Sequence, residues 1–306
     1  MAAVRRWRPW ALVVLLVLLA VLPWGVSAYI VGVLTVAYYF AVYAMSWDLL
    51  FGFAGEVNFG PTFLIGLGAY AASLLDIHRW PVPLCVLVGA AAAVVGGAAL
   101  AVPALRLRGP YFGLVTLVAV LVLQQVIVIF AGITGGEIGL SVPDVLAVDA
   151  NPNYWYALAF MVASGGILVT LSRSPVGLIL QASGQDATET AALGFNVAKH
   201  KVAAFCVSAF FSGLSGAMVV FYEGTVSVGS VIDLALGVQV IIAAVLGGRR
   251  TIYGAALGAI FLILANELLR PLGQLNTFVV AAVALIVILF FPNGFMGILG
   301  RAGERS

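Results

Sequence analysis

The stretch FGFAGEVNFGPTF, residues 51–63, interrupts an otherwise apolar part of a 306-residue chain. Three glycines and Pro61 stand within it, together with the polar residues Glu56 and Asn58. Glycine weakens a helix through its backbone entropy, and proline lacks the N–H donor and disfavours a helical residue before it. The stretch therefore predicts a break between two apolar helices, with polar groups placed at the break.

The composition around this break is that of a membrane protein. Hydrophobic residues make up 63% of the chain and charged residues 8%, with a mean hydropathy of +1.17. Soluble domains carry about 25% charged residues. Runs such as ALVVLLVLLAVL, residues 11–22, do not alternate in polarity as the strands of a membrane β-barrel do. Because backbone groups in lipid must be satisfied within their own segment, these runs predict transmembrane helices.

Apolar runs that approach the length needed to span a bilayer, about 20 residues, recur about ten times. They cover residues 10–29, 30–50, 61–75, 82–105, 111–131, 154–171, 202–222, 234–246, 252–269 and 277–291. We expect an all-α transmembrane bundle that forms a single domain over residues 1–306.

The basic residues predict the orientation of this bundle. With a cytoplasmic N-terminus, nearly all of them fall on the cytoplasmic side, as the positive-inside rule requires, and the C-terminus is cytoplasmic too. The opposite loops are acidic or neutral. The first run, followed by VSA at residues 26–28, also resembles a secretory signal with a cleavage site. A second span follows at once, which favours an uncleaved first helix.

The sequence lacks the residues that several classes of protein function require. Ionisable side chains are almost absent from the middle of the spans, which disfavours a voltage sensor or a proton relay and weakens an ion-coupled carrier. The sequence has no phosphate-binding loop, no metal-ligand cluster and no catalytic constellation. Cys85 and Cys206 lie in apolar runs and fit small core residues. We therefore expect a non-enzyme without cofactor, metal site or nucleic-acid partner.

A second interrupted stretch, AVLGGRRTIYGAALGAIF at residues 244–261, matches the first. Paired Gly- or Pro-broken segments in the two halves of a membrane protein often build the substrate site of a transporter. The alternative is that the glycines serve only close helix packing and sharp turns. The candidate residues of a substrate path are Gly55, Glu56, Asn58, Gly60, Thr62, Gly247 and Gly248.

The longest predicted cytoplasmic loop, residues 173–201, is too polar to span. Within it TETAALGFN, residues 188–196, predicts a short helix that ends at Gly194, with Asn196 just after as part of the stop. The segment is either a solvated connection or a docking helix for a cytoplasmic partner. The candidate docking residues are Asp186, Glu189, Ala191, Ala192, Gly194 and Asn196.

Five stretches in order resemble the permeases of branched-chain amino-acid ABC importers, the LivM/LivH type. They are GFAGEVNFGPTFLIGLGAY (52–70), RLRGPYFGLVTL (106–117), TGGEIGL (134–140), ETAALGFNVAKHKVAAFCVSAFFSGLSGAM (189–218) and VLGGRRTIYGAALGA (245–259). The chain departs from the family pattern at five places. Asn58 stands where serine is usual, Pro61 where histidine is common and Gly184 where arginine is usual. Arg249 and Arg250 interrupt the usual glycine after the GG pair, and Ala255 stands in place of proline.

This resemblance implies an importer made of two permeases and two ATP-binding subunits, fed by an external binding protein. It implies that ATP is bound by the partner subunit, that the 186–196 region is the ATPase coupling helix, and that the outer loop 132–153 faces the binding protein. The sister permease is a second copy or a different chain. The implied location is the bacterial-type plasma (inner) membrane, in contact with lipid.

The chemistry of an amino acid suggests how the first break could serve as its path. Backbone amides after Gly60 could face the carboxylate, and Glu56 could face the ammonium group. Three alternatives remain open: the same machinery for urea, short amides or another small polar solute; an ion-coupled secondary amino-acid carrier; and a membrane scaffold that transports nothing.

Overall fold

The computed structural model describes residues 17–105 and 110–273, with four further positions at 275, 278, 279 and 282. Residues 10–16 of the predicted first span, 10–29, and nearly all of the last, at 277–291, lie outside these residues. Of the first run, residues 17–21 are helical and Leu22–Trp24 form a 3-10 turn.

The described chain is helical almost throughout, as predicted from the need of backbone groups in lipid to form hydrogen bonds within their own segment. The helices are α1 (Ala28–Asp48), α2 (Pro61–Ile77), α3 (Val82–Ala104), α4 (Pro110–Ile129), α5 (Ala131–Thr134), α6 (Ala150–Arg173), α7 (Pro175–Gln185), α8 (Ala187–Ala192), α9 (Val197–Glu223), α10 (Val228–Val231), α11 (Leu234–Gly247) and α12 (Ile252–Leu269). A π-helical turn, Leu49–Ala54, continues α1, and Arg270–Leu272 form a 3-10 turn. Two-residue strands β1 (Leu140–Ser141) and β2 (Thr225–Val226) pair antiparallel.

Seven helical segments are long and apolar enough to cross a membrane, and α2 is a shorter apolar helix of 17 residues. These eight correspond to the predicted runs from 30–50 to 252–269. The small β1–β2 ribbon departs from a purely helical fold; Leu140 pairs with Val226 and Ser141 with Thr225. Sequence alone gave no signal for a pairing across more than eighty residues.

The spans alternate in direction, so their connections gather at two ends. At one end, here called the break end, lie the two interrupted stretches and the 174–196 segment, joined by contacts such as Gly52 with Arg250 and Gly55 with Gly184. At the opposite end lie the ribbon and the loop 135–149, where Arg79 faces Asp144 at 3.9 Å. This grouping is the one that the predicted topology requires.

Helix α1 forms the centre of the bundle, with every residue from Ala37 to Leu50 buried. It packs against α6, α9, α11 and α12, while α2 and α3 pack on the other side of α9. At the crossing of α2, α3 and α9, Gly68, Gly89 and Gly213 leave no room for a side chain. Small residues of this kind let helices approach closely in lipid, where no hydrophobic force drives them together.

Candidate functional site

The first break begins where α1 turns into a π-helix. The π-helical turn Leu49–Ala54 ends at Gly55, whose φ of 74° is left-handed. A Cβ at Gly55 would lie 2.8 Å from the Cα of Gly184 in α7. Position 55 therefore needs glycine twice over, for its backbone conformation and for the close approach of α7. Isolated π-turns are rare and often occur at functional sites.

Asn58 shapes the break from within. Its side chain is buried, and its Oδ1 accepts a hydrogen bond from the backbone N–H of Gly60 at 2.8 Å. Its backbone carbonyl accepts a hydrogen bond from the indole Nε1 of Trp47 at 2.7 Å. These contacts hold the chain for the start of α2, where Pro61 takes the first helical position that suits its missing N–H. In this conformation Asn58 supports the break.

Gly60 and Thr62 place the start of α2 between two other helices. A Cβ at Gly60 would run into the backbone of Thr116 in α4, and a Cβ at Gly237 of α11 would lie 3.6 Å from Pro61 and Thr62. The Oγ1 of Thr62 is fully buried and has no hydrogen-bond partner among the described residues. A buried hydroxyl without a partner is costly. Thr62 is therefore the predicted path residue with an unused polar atom.

Glu56 is already paired. Its Oε1 lies 2.5 Å from the Nζ of Lys201 near the start of α9, and the two side chains are 19% and 14% exposed respectively. The carboxylate predicted to face a solute ammonium thus has a lysine ammonium beside it in this conformation. The sequence placed Lys201 beyond the docking helix, 145 residues away, and held no signal for this contact.

The second break joins α11 to α12 over residues 248–251. Gly247 and Gly254 lie backbone against backbone, so neither could carry a Cβ, and Gly248 has a φ of 113°. Arg250 follows with a φ of 64°, a left-handed conformation that side chains disfavour. The usual family glycine in this motif falls at this position, and the conformation explains why glycine suits it.

The two breaks contact each other directly. The backbone N–H of Arg250 donates to Asp48 Oδ1 at 3.1 Å, and its Nε donates to the carbonyl of Gly52 at 2.9 Å. The guanidinium of Arg249 lies 4.6 Å from the ring centroid of Phe51, which stacks on Trp47 at 4.8 Å. The sequence predicted two matching breaks; their contact through Asp48 and the arginines was not predicted.

The 173–201 segment folds as two helices at the break end. Ser174 caps the start of α7, and Asp186 caps α8 by accepting hydrogen bonds from the N–H groups of Thr188 at 2.7 Å and Glu189 at 3.0 Å. Gly194, with a φ of 90°, follows the C-terminal end of α8 as predicted.

Asn196 has a different structural role from the predicted one. Its Oδ1 accepts a hydrogen bond from the N–H of Lys199 at 3.0 Å, so it begins α9 and does not end α8. Asparagine serves both positions, and sequence alone did not separate them.

The tip of this segment is exposed and partly apolar. Asp186, Glu189, Ala191, Ala192, Gly194 and Asn196 are all exposed. Leu193 and Phe195 beside them are 75% and 42% exposed, which the sequence analysis did not single out. An apolar pair at the tip of a polar segment is a signal for a docking surface. The base of the segment contacts the first break, because Gly184 rests on residues 53–55.

The fold and this site define a class of protein: a helical membrane protein in which two broken spans meet at one end, beside an exposed helical segment, an arrangement found in transporters. Residues 29–292 match the model of a family described as the permease component of branched-chain amino acid transport systems. The chain belongs to this family. It is accordingly a multi-pass protein of the plasma (inner) membrane.

Individual relatives agree with the family match. The chain is 27% identical to a high-affinity branched-chain amino acid transport permease, LivM, of Salmonella typhimurium, over 93% of this chain and 74% of the relative. It is 25% identical to the permease BraD of Pseudomonas aeruginosa, over 88% and 94% respectively. A ribose import permease, RbsC, of Haemophilus influenzae is 28% identical over 53% of this chain and 47% of its own length. No solved structure matches the chain.

Proposed function

We propose that this chain is the membrane-spanning subunit of an ABC importer that takes up branched-chain amino acids from an external binding protein. The single observation that carries the proposal is the family match over residues 29–292, which includes both breaks and the 173–201 segment. Separate cytoplasmic subunits bind and hydrolyse ATP, and a sister permease completes the membrane part.

The contacts at the break end supply a route for coupling. The exposed tip from Asp186 to Asn196 docks into an ATP-binding subunit. Its movement passes to the first break through two contacts, Gly184 against Gly55 and Lys201 with Glu56. Because both contacts act on the residues that follow the π-helical turn, a shift of the segment moves the start of α2. This is a two-state element biased from a distant nucleotide site.

The same residues form the candidate path. The unused hydroxyl of Thr62 and the carboxylate of Glu56 are the polar groups that the first break offers to a solute. Movement of α9 withdraws Lys201, and the solute ammonium takes its place beside Glu56. Exchange of one ammonium for another leaves the carboxylate compensated before and after solute entry, which limits the cost of an unpaired charge in a mostly buried site.

Reconstitution tests this function. The chain is purified with ATP-binding subunits, a sister permease and a binding protein from the same organism, and placed in proteoliposomes. We expect leucine uptake that requires ATP on the ATPase side and the binding protein on the other side, and that persists with an ionophore. Uptake without the ATP-binding subunits, abolished by the ionophore, would instead identify an ion-coupled carrier.

A second cargo is favoured by one observation. The ribose import permease similar to half of this chain indicates that related chains serve different solutes, and Asn58 and Pro61 depart from the family pattern beside the candidate path. The alternative is the same machine for urea, short amides or another small polar solute. Competition of each unlabelled solute against labelled leucine, with the native binding protein present, separates the two.

A further inference from the structure

Arg250 holds a backbone conformation that needs an explanation. Among the described non-glycine residues, Arg79 and Arg250 have left-handed φ values, 61° and 64°. Such a residue is strained unless its surroundings hold it, and strained residues cluster at switches and functional sites. Arg79 is exposed at the opposite end, whereas Arg250 is half-buried between the two breaks.

Four contacts hold the Arg249–Arg250 turn against the first break. The N–H and the Nε of Arg250 donate to Asp48 and to the carbonyl of Gly52. Arg249 lies over Phe51 and its Nη2 donates to the Phe51 carbonyl at 3.5 Å. Hydrogen bonds from a charged donor are stronger than neutral ones, and a cation over an aromatic face adds to them. The strain at Arg250 is offset by these contacts.

Asp48 completes the arrangement from the other side. Its carboxylate is fully buried and lies beside the start of α12, where backbone N–H groups and the helix dipole favour a negative charge. A side chain at Gly52 would collide with this carboxylate, so Gly52 is needed to admit it. The first break is therefore shaped to receive the second.

We propose that Arg249 and Arg250 form a latch that holds the second break against the first and keeps the break end closed, and that this latch opens in each transport cycle. The inference rests on the proposed function, because a solute that leaves between the two breaks must part residues 48–52 from 249–250. The latch contacts are mainly hydrogen bonds, Arg249 is exposed and Arg250 is only half-buried, so their separation exposes little apolar surface. The glycine crossings of α2, α3 and α9 are buried and closely packed, so these helices cannot separate at such a low cost.

The matched pair of variants R250A and R79A tests the latch. Alanine keeps the left-handed strain at both positions, but only R250A removes the side-chain contact with Gly52. Hydrogen exchange is measured on the purified complex at residues 48–56 and 248–252. Loss of a hydrogen bond from a charged donor shifts the closed–open equilibrium roughly tenfold or more. We expect R250A to speed exchange in both segments by about that factor and R79A to leave them unchanged.

Opening is tested in the unmodified complex. Exchange at 48–52 and 249–252 should differ between the nucleotide-free state and a state trapped with ATP and vanadate. Equal exchange in the two states would refute opening, and equal exchange in R250A and R79A would refute the latch. Neither measurement uses solute uptake. Failure of the latch is thus distinguished from failure of the proposed function, which the uptake assay decides separately.

Discussion

At the residue scale, the pair of Glu56 and Lys201 is the feature that most changes the expected chemistry. A mostly buried charged group is costly unless an opposite charge compensates it, and Glu56 and Lys201 compensate each other. The pair joins the candidate path to the start of α9, and so it belongs both to solute passage and to coupling. Separate substitutions of Glu56 and Lys201 distinguish the role of the pair in solute passage from its role in coupling.

We expect E56Q to reduce leucine uptake more than K201Q does. Both variants leave one partner uncompensated and should lower stability by about 1–2 kcal/mol, a value below that of a fully buried pair because both side chains keep some exposure. Only E56Q also removes the group that would receive the solute ammonium. Uptake rates at several leucine concentrations and melting temperatures of the reconstituted complex measure the two effects.

The double variant and a control complete this experiment. E56Q combined with K201Q should recover part of the lost stability, since neither charge remains unpaired. E267Q changes a carboxylate paired with Arg270 at the opposite end and should leave uptake unchanged. If E56Q transports leucine as well as the unmodified chain, Glu56 is not part of the path.

At the scale of elements, the short helix α8 shows what can be read from local sequence. The order of a polar cap, a run of helix formers and a glycine is a local signal, and the structure confirms Gly194 at the C-terminal end of α8. The start of α9 was misjudged at Asn196 because the same residue type caps both ends of helices. Pairings between distant elements, such as Gly55 with Gly184, leave no local signal at all.

Replacing Gly194 by valine should uncouple the ATP-binding subunit from transport. A β-branched residue at a φ of 90° is strained by about 1–3 kcal/mol, although nothing lies within 4 Å of the added atom. The tip that carries Leu193 and Phe195 would then be redirected without disturbing the bundle. The expected result is normal assembly in the membrane with loss of binding-protein-stimulated ATPase activity.

Gly229 offers a matched control for this variant. It lies in α10 at the opposite end, also has nothing within 4 Å of an added Cβ, and has no left-handed φ. G229V should keep stimulated ATPase activity. Full stimulation in G194V would argue against the docking assignment of residues 186–196.

At the scale of the whole molecule, the apolar composition predicted that lipid surrounds the chain. The lipid environment in turn predicted that the apolar runs are helices. Eight of the predicted runs appear as helices because lipid allows almost no other structure for an apolar chain. The packing arrangement of the spans was harder to predict from the sequence, because the faces of helices in lipid differ little in polarity. Asp48 and Arg250, which join the two breaks, lie 202 residues apart.

The two ends of the bundle should face opposite sides of the membrane. Both native cysteines, Cys85 and Cys206, are first replaced by alanine, and a single cysteine is placed at Ile138 or Lys199. Ile138 is 94% exposed at the end away from the breaks, and Lys199 is exposed at the break end. A membrane-impermeant thiol reagent should label I138C in cells whose inner membrane is intact, and K199C only after that membrane is opened. The reverse pattern would invert the topology.

The contact of Gly55 with Gly184 has a consequence for protein engineering. A Cβ at position 184 would lie 2.7 Å from the carbonyl oxygen of Phe53, so the arginine usual in the family does not fit against this π-helical turn. In a chimaera that carries the 173–201 segment of a relative, we expect this segment to pack poorly against the first break. Residues 49–56 of the same relative should be transplanted together with it.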